Sequence, residues 1–570
     1  MKYVYCPVNG IISLEEVEHR IIATRTLRRL QHIRQLEFVS YVFPSCNHTR
    51  FEHTLGVTHL LKRIVENQQF IDKFLKPILW KDKINLDSWL YVSEDTKYKF
   101  IKHLLSLCGL LHDIGHGPYS HFSETMFELL GLPDPKLPKE PAFELHDNTS
   151  VKLHEWIMFS IITFPAVPCE TKYNEVELRI QQSFGTNAIA RDGEAREEVN
   201  DVLKKWCRFL ERRYNDIAPC IREVATLLSL PGKEDDYLKF RRLIAYSACG
   251  KVPGIDSLIY GVFDVDRLDY LRRDSFMAGV KYGDIELNRL LGPGFTYDAG
   301  ENNKNEMLID YAKGIAALEH MYIGKDLLYF TTIYHPCSAT ARNMLLKLVL
   351  ELPDAKRIQD TENSTKKMRL LLSYITEIYS MEDFDFICYL KEWTAKLKAS
   401  KQLTNSYLSK LINRELYKKV AVFHWNDIHP KIREQITKTF QDGYPKLWKL
   451  AEDFEDKIGE QVLRIAGKRN FTDGKAVIIN LPPYTEKWPD IRKAWVKRKS
   501  VYNSLSFYRA NEMSPLLDVS PKTSDRNNII SVYLNPLLKT SFDKNKEKIL
   551  PIINNTFGCH LSDVIQKGPA

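Results

Sequence analysis

The sequence predicts a mainly α protein: a large helical core carrying a small α/β lobe at its C-terminal end. Two observations predict it. Apolar residues recur at helical spacing over long stretches, whereas the alternation that strands need is confined to the end of the chain. At 570 residues the chain exceeds one simple domain and can bury a sizeable core. The pattern divides it into a core over residues 1–350, with a charged helical insertion at about 170–250. A helical extension over 351–500 and an α/β lobe over 501–570 follow.

Residues 14–40 read as helical, with Leu27, Leu30, Ile33 and Leu36 on an apolar face. A loop containing Pro44 leads to a second helix, lined on one side by Val57, Leu60, Leu61 and Ile64, with His53 in its first turn. Ile101, Leu104, Leu105, Cys108 and Leu111 mark a buried helix that Gly115, Gly117 and Pro118 stop. Phe122 to Leu130 is helical again. In the insertion, Glu194-Ala195-Arg196-Glu197-Glu198 reads as a solvated helix face. In the stretch Phe263 to Asp274, Leu268 and Leu271 face the core. Residues 320–350 form an apolar helix containing His335 and Arg342, and 366–465 is helical and charged. Ser504 to Tyr508 and Ile529 to Leu534 alternate as short strands.

Composition excludes several classes. Hydrophobic residues at 44% and charged ones at 27% are ordinary for a globular chain. The net charge of +8 (81 Lys and Arg against 73 Asp and Glu) permits anionic substrates without arguing for nucleic acid. No segment approaches the ~20 apolar residues of a membrane span, and Met1 to Pro7 does not read as a signal peptide. Ten cysteines without a Cys-x-x-Cys pair indicate neither a zinc ribbon nor a disulfide framework. A cytoplasmic protein with reduced thiols is the expectation.

Chemistry gathers at His112-Asp113-Ile114-Gly115-His116-Gly117-Pro118-Tyr119-Ser120-His121. A His-Asp pair by itself is most simply a hydrogen-bonded structural pair. Three histidines and an aspartate around two glycines at the end of a buried helix favour a metal-centred site, because a buried carboxylate needs a partner or a cation. Arg50 at a helix entrance is ordinary surface, or a phosphate ligand. Asp266, Tyr270 and Asp274 stack at i, i+4 and i+8 with Arg267 alongside; such a pattern is commonly a set of surface salt bridges.

Taken together, Arg50 to Val57, Leu111 to His121 and Asp264 to Tyr270 resemble the HD-domain metal-dependent phosphohydrolases. Within them the resemblance is to the deoxynucleoside triphosphate triphosphohydrolases, a branch that includes the SAM-and-HD-domain enzyme and bacterial HD phosphohydrolases. No counterpart of the sterile-alpha-motif domain is expected. The resemblance implies an HD-domain helical core in which His53, His112, Asp113 and Asp266 bind one divalent metal. Mn, Fe, Ni, Zn and Mg all remain open. It implies that His116 and Arg50 hold the α-phosphate, and that His121, oriented by Glu124 and with His154 nearby, moves a proton. Arg267, Tyr270, Asp274 and His335 would contact substrate, and Gln35 and Leu36 the nucleoside. The implied reaction releases a deoxynucleoside and inorganic triphosphate; the implied assembly is a homo-oligomer, dimer or tetramer. Nucleotide-pool control or antiviral defence would be the role by analogy alone.

A nuclease or phosphodiesterase on the same scaffold is the alternative. Its one hint is the basic segment Lys487 to Lys499 with Trp488 and Trp495, which a solvated face explains equally well. The SAM-and-HD-domain enzyme holds an activating guanine with an aspartate, a glutamine and an arginine. Ala23, Arg28 and Gln31 occupy those positions here, so guanine activation is not expected.

Overall fold

The computed structural model describes residues 1–559 apart from 83, 89, 91, 140–142, 144, 146–148, 165–168, 186–195, 231–232, 262–263, 298–306, 399–404, 469, 482–494, 500–504, 510–512 and 514–528. A hairpin of β1 (Lys2–Cys6) and β2 (Gly10–Leu14) opens the chain. In α1 (Glu16–Ala23) the helix ends at Thr24, whose side chain accepts from Leu27 N and starts a separate turn. The continuous helix expected over 14–40 is therefore broken. Beyond it, Ile33 to Gln35 pairs with the approach to the next helix instead. Gln35 N donates to His48 O at 3.1 Å and Arg50 N to Ile33 O at 2.9 Å.

A capping box sets the start of α2 (Arg50–Val65): Thr49 N donates to Glu52 Oε2 at 2.8 Å. Ser93 caps α3 (Glu94–Leu111), with Glu94 and Asp95 complementing its first turn. The two helices pack along each other, and at Gly109 a Cβ would come within 2.8 Å of Thr58 Cα. They are followed by α4 (His121–Leu129) and α5 (Leu153–Ile162). The insertion consists of α6 (Cys169–Phe184), α7 (Arg196–Leu227) and α8 (Glu234–Ala248). Glu197 and Glu198 are exposed as expected, while Glu194 and Ala195 lie outside the described residues. The insertion is no appendage, however. Ile180, Trp206, Leu210, Phe240 and Leu243 join the main apolar core.

Asp264 caps α9 (Val265–Ala278), accepting from Arg267 N at 2.7 Å, and Gly279 at φ +71° closes it. The single helix expected over 320–350 is divided into α10 (Tyr311–Leu328) and α11 (Pro336–Leu350). Pro336 has no N–H to continue a helix, and its ring fits the first turn. With α12 (Ser364–Ile378), α13 (Asp383–Lys398) and α14 (Asn405–Ile412) the main core runs on to Tyr417, and Ile478 and Tyr533 join it from further along the chain.

Four strands precede or cross into the rest: β3 (Phe295–Tyr297), β4 (Met307–Asp310), β5 (Lys418–His424) and β6 (Val477–Asn480). They are joined by β7 (Trp495–Lys499), β8 (Leu505–Arg509) and β9 (Ile529–Leu534). One sheet has the order β3-β4-β7-β8, with β4 and β7 parallel; another has β5-β9-β6, antiparallel throughout. The second sheet packs with α15 (Pro430–Gln441), α16 (Tyr444–Ile465) and α17 (Lys546–Phe557) around its own core. Phe423, Ile436, Ile458, Ile479, Val532 and Ile553 belong to that core, which begins at Ala421. The C-terminal lobe thus starts well before residue 501, and the expected helical extension over 351–500 is shared between two cores. Of the basic segment 487–499, only the backbone of β7 is described.

Gly115 tests the packing of the loop after α3 against α5. A Cβ there would lie 1.9 Å from His154 O and 2.8 Å from Met158 N, both backbone atoms. Gly115→Ala should lower stability by about 1–3 kcal/mol, read as a drop in the midpoint of denaturant unfolding. An unchanged midpoint would contradict this close approach.

Candidate metal centre and active site

His53 lies in the first turn of α2, His112 directly after α3, and Asp266 in the first turn of α9. Their ligand atoms all fall within 4.8 Å of one another. Asp113 adjoins them, with Oδ2 3.9 Å from His53 Nε2 and Oδ1 3.5 Å from His112 Nε2. Each imidazole is fixed from behind. His112 Nδ1 donates to Gly109 O at 2.8 Å, and His53 Nδ1 to Asp269 Oδ2 at 2.9 Å. Both Nε2 atoms therefore present lone pairs inward. Both are buried and neither has a hydrogen-bond partner, although Asp266 Oδ1 sits 2.8 Å from His53 Nε2. A lone pair facing a carboxylate in a dry site is costly unless a cation lies between them. Neutral imidazoles with carboxylates suit a divalent transition metal, so the residues fit such an ion. Without one a second proton takes its place: burial opposes it, but Asp266 and Asp269 outweigh burial, and His53 keeps that proton, on Nε2 toward Asp266, up to a pKa of about 10.

Asp269 escaped sequence reasoning as a site residue. Besides His53 it accepts both arms of the Arg273 fork, at 2.8 and 2.9 Å, and Asn9 Nδ2 at 2.9 Å. Burial would raise its pKa, yet Arg273 and His53 hold it well below the usual range. The available signal was its place three residues after Asp266. The carboxylate fits because residue 56 is glycine: a Cβ there would lie 1.9 Å from Asp269 Oδ1.

A second cluster stands beside the first. Glu124 bridges two imidazoles, with Oε2 2.5 Å from His121 Nδ1 and Oε1 2.5 Å from His154 Nδ1. Burial opposes its ionisation, but His154 and His121 keep it well below the ordinary carboxylate range. His116 stacks on His154 at 3.8 Å, and its Nε2 lies 3.3 Å from Asp113 Oδ1. Burial and Arg50 hold His116 neutral. Burial also lowers His121 against the pull of Glu124, although 45% of its side chain stays open to solvent, which limits that shift.

Arg50 ties the clusters together, donating from Nη1 to Asp113 Oδ2 at 3.0 Å and from Nε to Ser120 Oγ at 2.9 Å. Asp113 is thereby held ionised against burial. Tyr119 and Ser120 adopt φ of +53° and +56°, two strained residues in succession just before His121. Tyr119 N donates to Asp383 Oδ1 at 2.7 Å, and Ser120 Oγ to Arg34 O at 2.5 Å. Arg29 and Arg213, also unforeseen, donate to the loop carbonyls of His116 at 2.6 Å and Ile114 at 3.4 Å.

The remaining expected residues fall unequally. Gln35 is buried, and its Oε1 has no hydrogen-bond partner. Leu36 follows it, half-buried, and Arg267 and Tyr270 lie on α9 beside Asp266. Asp274 is sealed in and takes His48 Nε2 at 2.7 Å. His335 joins neither cluster; it caps α11, accepting from Cys337 N at 3.3 Å.

Residues 50–155, which hold His53 and the whole 112–121 loop, match the model of the HD domain, and residues 301–557 match an HD-associated region. The chain carries an HD domain. It is 24% identical over 449 residues to the deoxynucleoside triphosphate triphosphohydrolase SAMHD1 of Gallus gallus, covering 78% of this chain and 59% of that one. The human protein of that name is 31% identical over 164 residues, 28% of this chain and 21% of its own. An uncharacterised protein of Methanocaldococcus jannaschii is 24% identical over 431 residues, covering 75% of this chain and 62% of its own. The chain thus spans about three-fifths of the length of these longer-matching relatives. A crystal structure of a phosphohydrolase from Bacteroides thetaiotaomicron shares the fold at a TM-score of 0.50 and 17% identity, covering 94% of this chain and 100% of that one. No helix among the described residues is long and apolar enough to cross a membrane.

Asp266→Ala should leave helix content unchanged while the protein, incubated with Mn²⁺ and desalted, loses its bound metal by elemental analysis. Full occupancy in that variant would remove Asp266 from the ligand set. Asp269→Asn keeps the shape but cannot anchor His53 as firmly. It should weaken metal affinity by about 10–100-fold, measured by competition with a chelating dye.

Proposed function

We propose that this chain is a metal-dependent phosphohydrolase that cleaves nucleoside triphosphates, deoxynucleotides among them, to the nucleoside and inorganic triphosphate. One observation carries the reading. Two buried, unpartnered imidazole nitrogens and two carboxylates converge beside a separate Glu124–histidine unit equipped to move a proton. His53, His112, Asp113 and Asp266 would hold the metal, which when bound polarises a phosphoryl oxygen and acidifies water. The chain spans 62% or less of the length of these relatives, so their activities support this reading without carrying it.

The chain's own groups divide the remaining work. Arg50 and His116 lie against Asp113, where phosphate oxygens would meet a guanidinium and a ring nitrogen without a partner. Arg267 on the first turn of α9 would steady the phosphate chain, with Tyr270 and Gln35 toward the sugar. His121 starts neutral, its Nδ1–H directed at Glu124 and its side chain partly open to solvent. Negative charge arriving with a triphosphate raises its proton affinity. It can then take up a proton and give it to the departing 5′-oxygen, while Glu124 stabilises the imidazolium and His154 fixes Glu124 from the other side.

His121→Gln should retain metal and nucleotide binding but lose turnover by about 10²–10⁴-fold, measured as release of triphosphate from dATP. Undiminished turnover would exclude His121 from proton transfer. Ala23, Arg28 and Gln31 are all exposed, without a carboxylate among them. Hydrolysis of dATP should therefore proceed at the same rate with and without GTP. A strict requirement for GTP would show that these positions had been misjudged.

A further inference from the structure

Just after the buried Gln35 and the half-buried Leu36, the backbone at Glu37 takes φ +42°, a conformation that glycine adopts freely and glutamate rarely does. Strain of that kind persists where the surroundings fix it. Here Arg342 of α11 holds the side chain, its Nε 3.0 Å from Glu37 Oε2. The same guanidinium donates from Nη2 to Thr125 Oγ1 at 2.6 Å, and that hydroxyl donates to His121 O at 3.1 Å. The ion pair is thus fastened to α4 one turn from His121. It is not closed on itself. Among the described residues neither Glu37 Oε1 nor Arg342 Nη1 has a partner, and 19% and 32% of the two side chains stay open to solvent. Arg50 and Glu124 lie near enough to act on the charge of Glu37.

We propose that Glu37 and Arg342 read the nucleobase of the substrate and favour the keto bases, guanine and thymine, over adenine and cytosine. The inference rests on the hydrolase reading, which puts the phosphates against Arg50 and His116 and the departing 5′-oxygen at His121. The nucleoside then extends from His121 over the surface formed by Thr125, Arg342 and Glu37. A free carboxylate oxygen beside a free guanidinium N–H is an acceptor next to a donor. Guanine and thymine carry a ring N–H next to a keto oxygen, so the carboxylate accepts from the N–H while the guanidinium donates to the oxygen. Adenine and cytosine carry an amino group in place of the keto oxygen and a lone pair in place of the N–H. They set donor against donor and acceptor against acceptor, which leaves both charged groups unsatisfied.

The test compares kcat/KM for dGTP, dTTP, dATP and dCTP between the Mn²⁺-loaded chain and its Glu37→Gly variant. Glycine is at ease at φ +42°, so this variant should unfold at a midpoint no lower than that of the unchanged chain. The keto nucleotides should lead the amino nucleotides by about tenfold or more, and the lead should vanish in Glu37→Gly. Glu37→Gln, which can present either an oxygen or an NH₂ group, gives the same comparison if the glycine variant does not fold. Equal values for the four nucleotides, a lead of the amino bases, or a lead that survives both substitutions would each overturn the assignment. Calorimetric binding of dGTP and dATP to the metal-loaded His121→Gln variant separates this inference from the reading beneath it. Tighter binding of dGTP, with no nucleotide hydrolysed by the unchanged chain, would support the base-reading pair and refute the hydrolase. Hydrolysis of all four with equal efficiency would refute the pair and leave the hydrolase standing.

Discussion

The carboxylate of Asp269 is shared by three parts of the fold, and the metal centre depends on that sharing. It accepts from His53 on α2, from Arg273 one turn further along α9, and from Asn9 at the tip of the opening hairpin. A buried carboxylate stays ionised only with such compensation, and here every lone-pair direction is used. Gly56 is what permits the close approach of α9 to α2. The consequence for the site is a fixed tautomer: with a proton held on Nδ1, His53 presents Nε2 as a lone pair. His112 obtains the same orientation from the carbonyl of Gly109 on its own helix, so the two imidazoles are aimed by different means.

The loop from His112 to His121 has to place four polar side chains, His112, Asp113, His116 and Ser120, in a dry interior, and helices cannot do that without gaps. Its solution is strain held by buried partners. Tyr119 and Ser120 lie in the left-handed region, and Asp383, Arg34, Arg29 and Arg213 take up the backbone and hydroxyl groups exposed by the turn. Burial lowers the pKa of Arg29 to about 10, which still leaves it charged at neutral pH. Arg213 comes from α7, so the insertion braces this loop as well as filling the core.

The sequence was most legible where chemistry and helix ends coincide. His53, His112 and Asp266 stand at the termini of apolar helices, where packing offers no reason for ligand-type side chains, and the structure brings these three together. Asp269 was hidden because an acid flanked by arginines on a helix has the same pattern as a solvated salt bridge; only the three-dimensional approach of Gly56 distinguishes the two. Residues 33–36 carried a helical apolar period, yet their backbone groups pair across to residues 48–50, a contact that no local pattern reveals. The lobe boundary was obscured by short strands: β5 begins with two lysines and β6 has four residues, so neither alternates long enough to stand out.

Charge balance explains why the two clusters are adjacent rather than merged. Asp113, Asp266, Asp269 and Glu124 are all held ionised against burial, each by a cationic or imidazole neighbour. Arg273 is spent on Asp269, and Arg50 on Asp113. Four carboxylates with their arginines committed make a poor reception for a polyphosphate. A divalent cation between His53, His112, Asp113 and Asp266 would reverse that balance, and under the proposed function it would govern substrate binding as well as chemistry. Glu124, kept one imidazole away from those ligands, can then respond to substrate charge through His121 without competing for the ion.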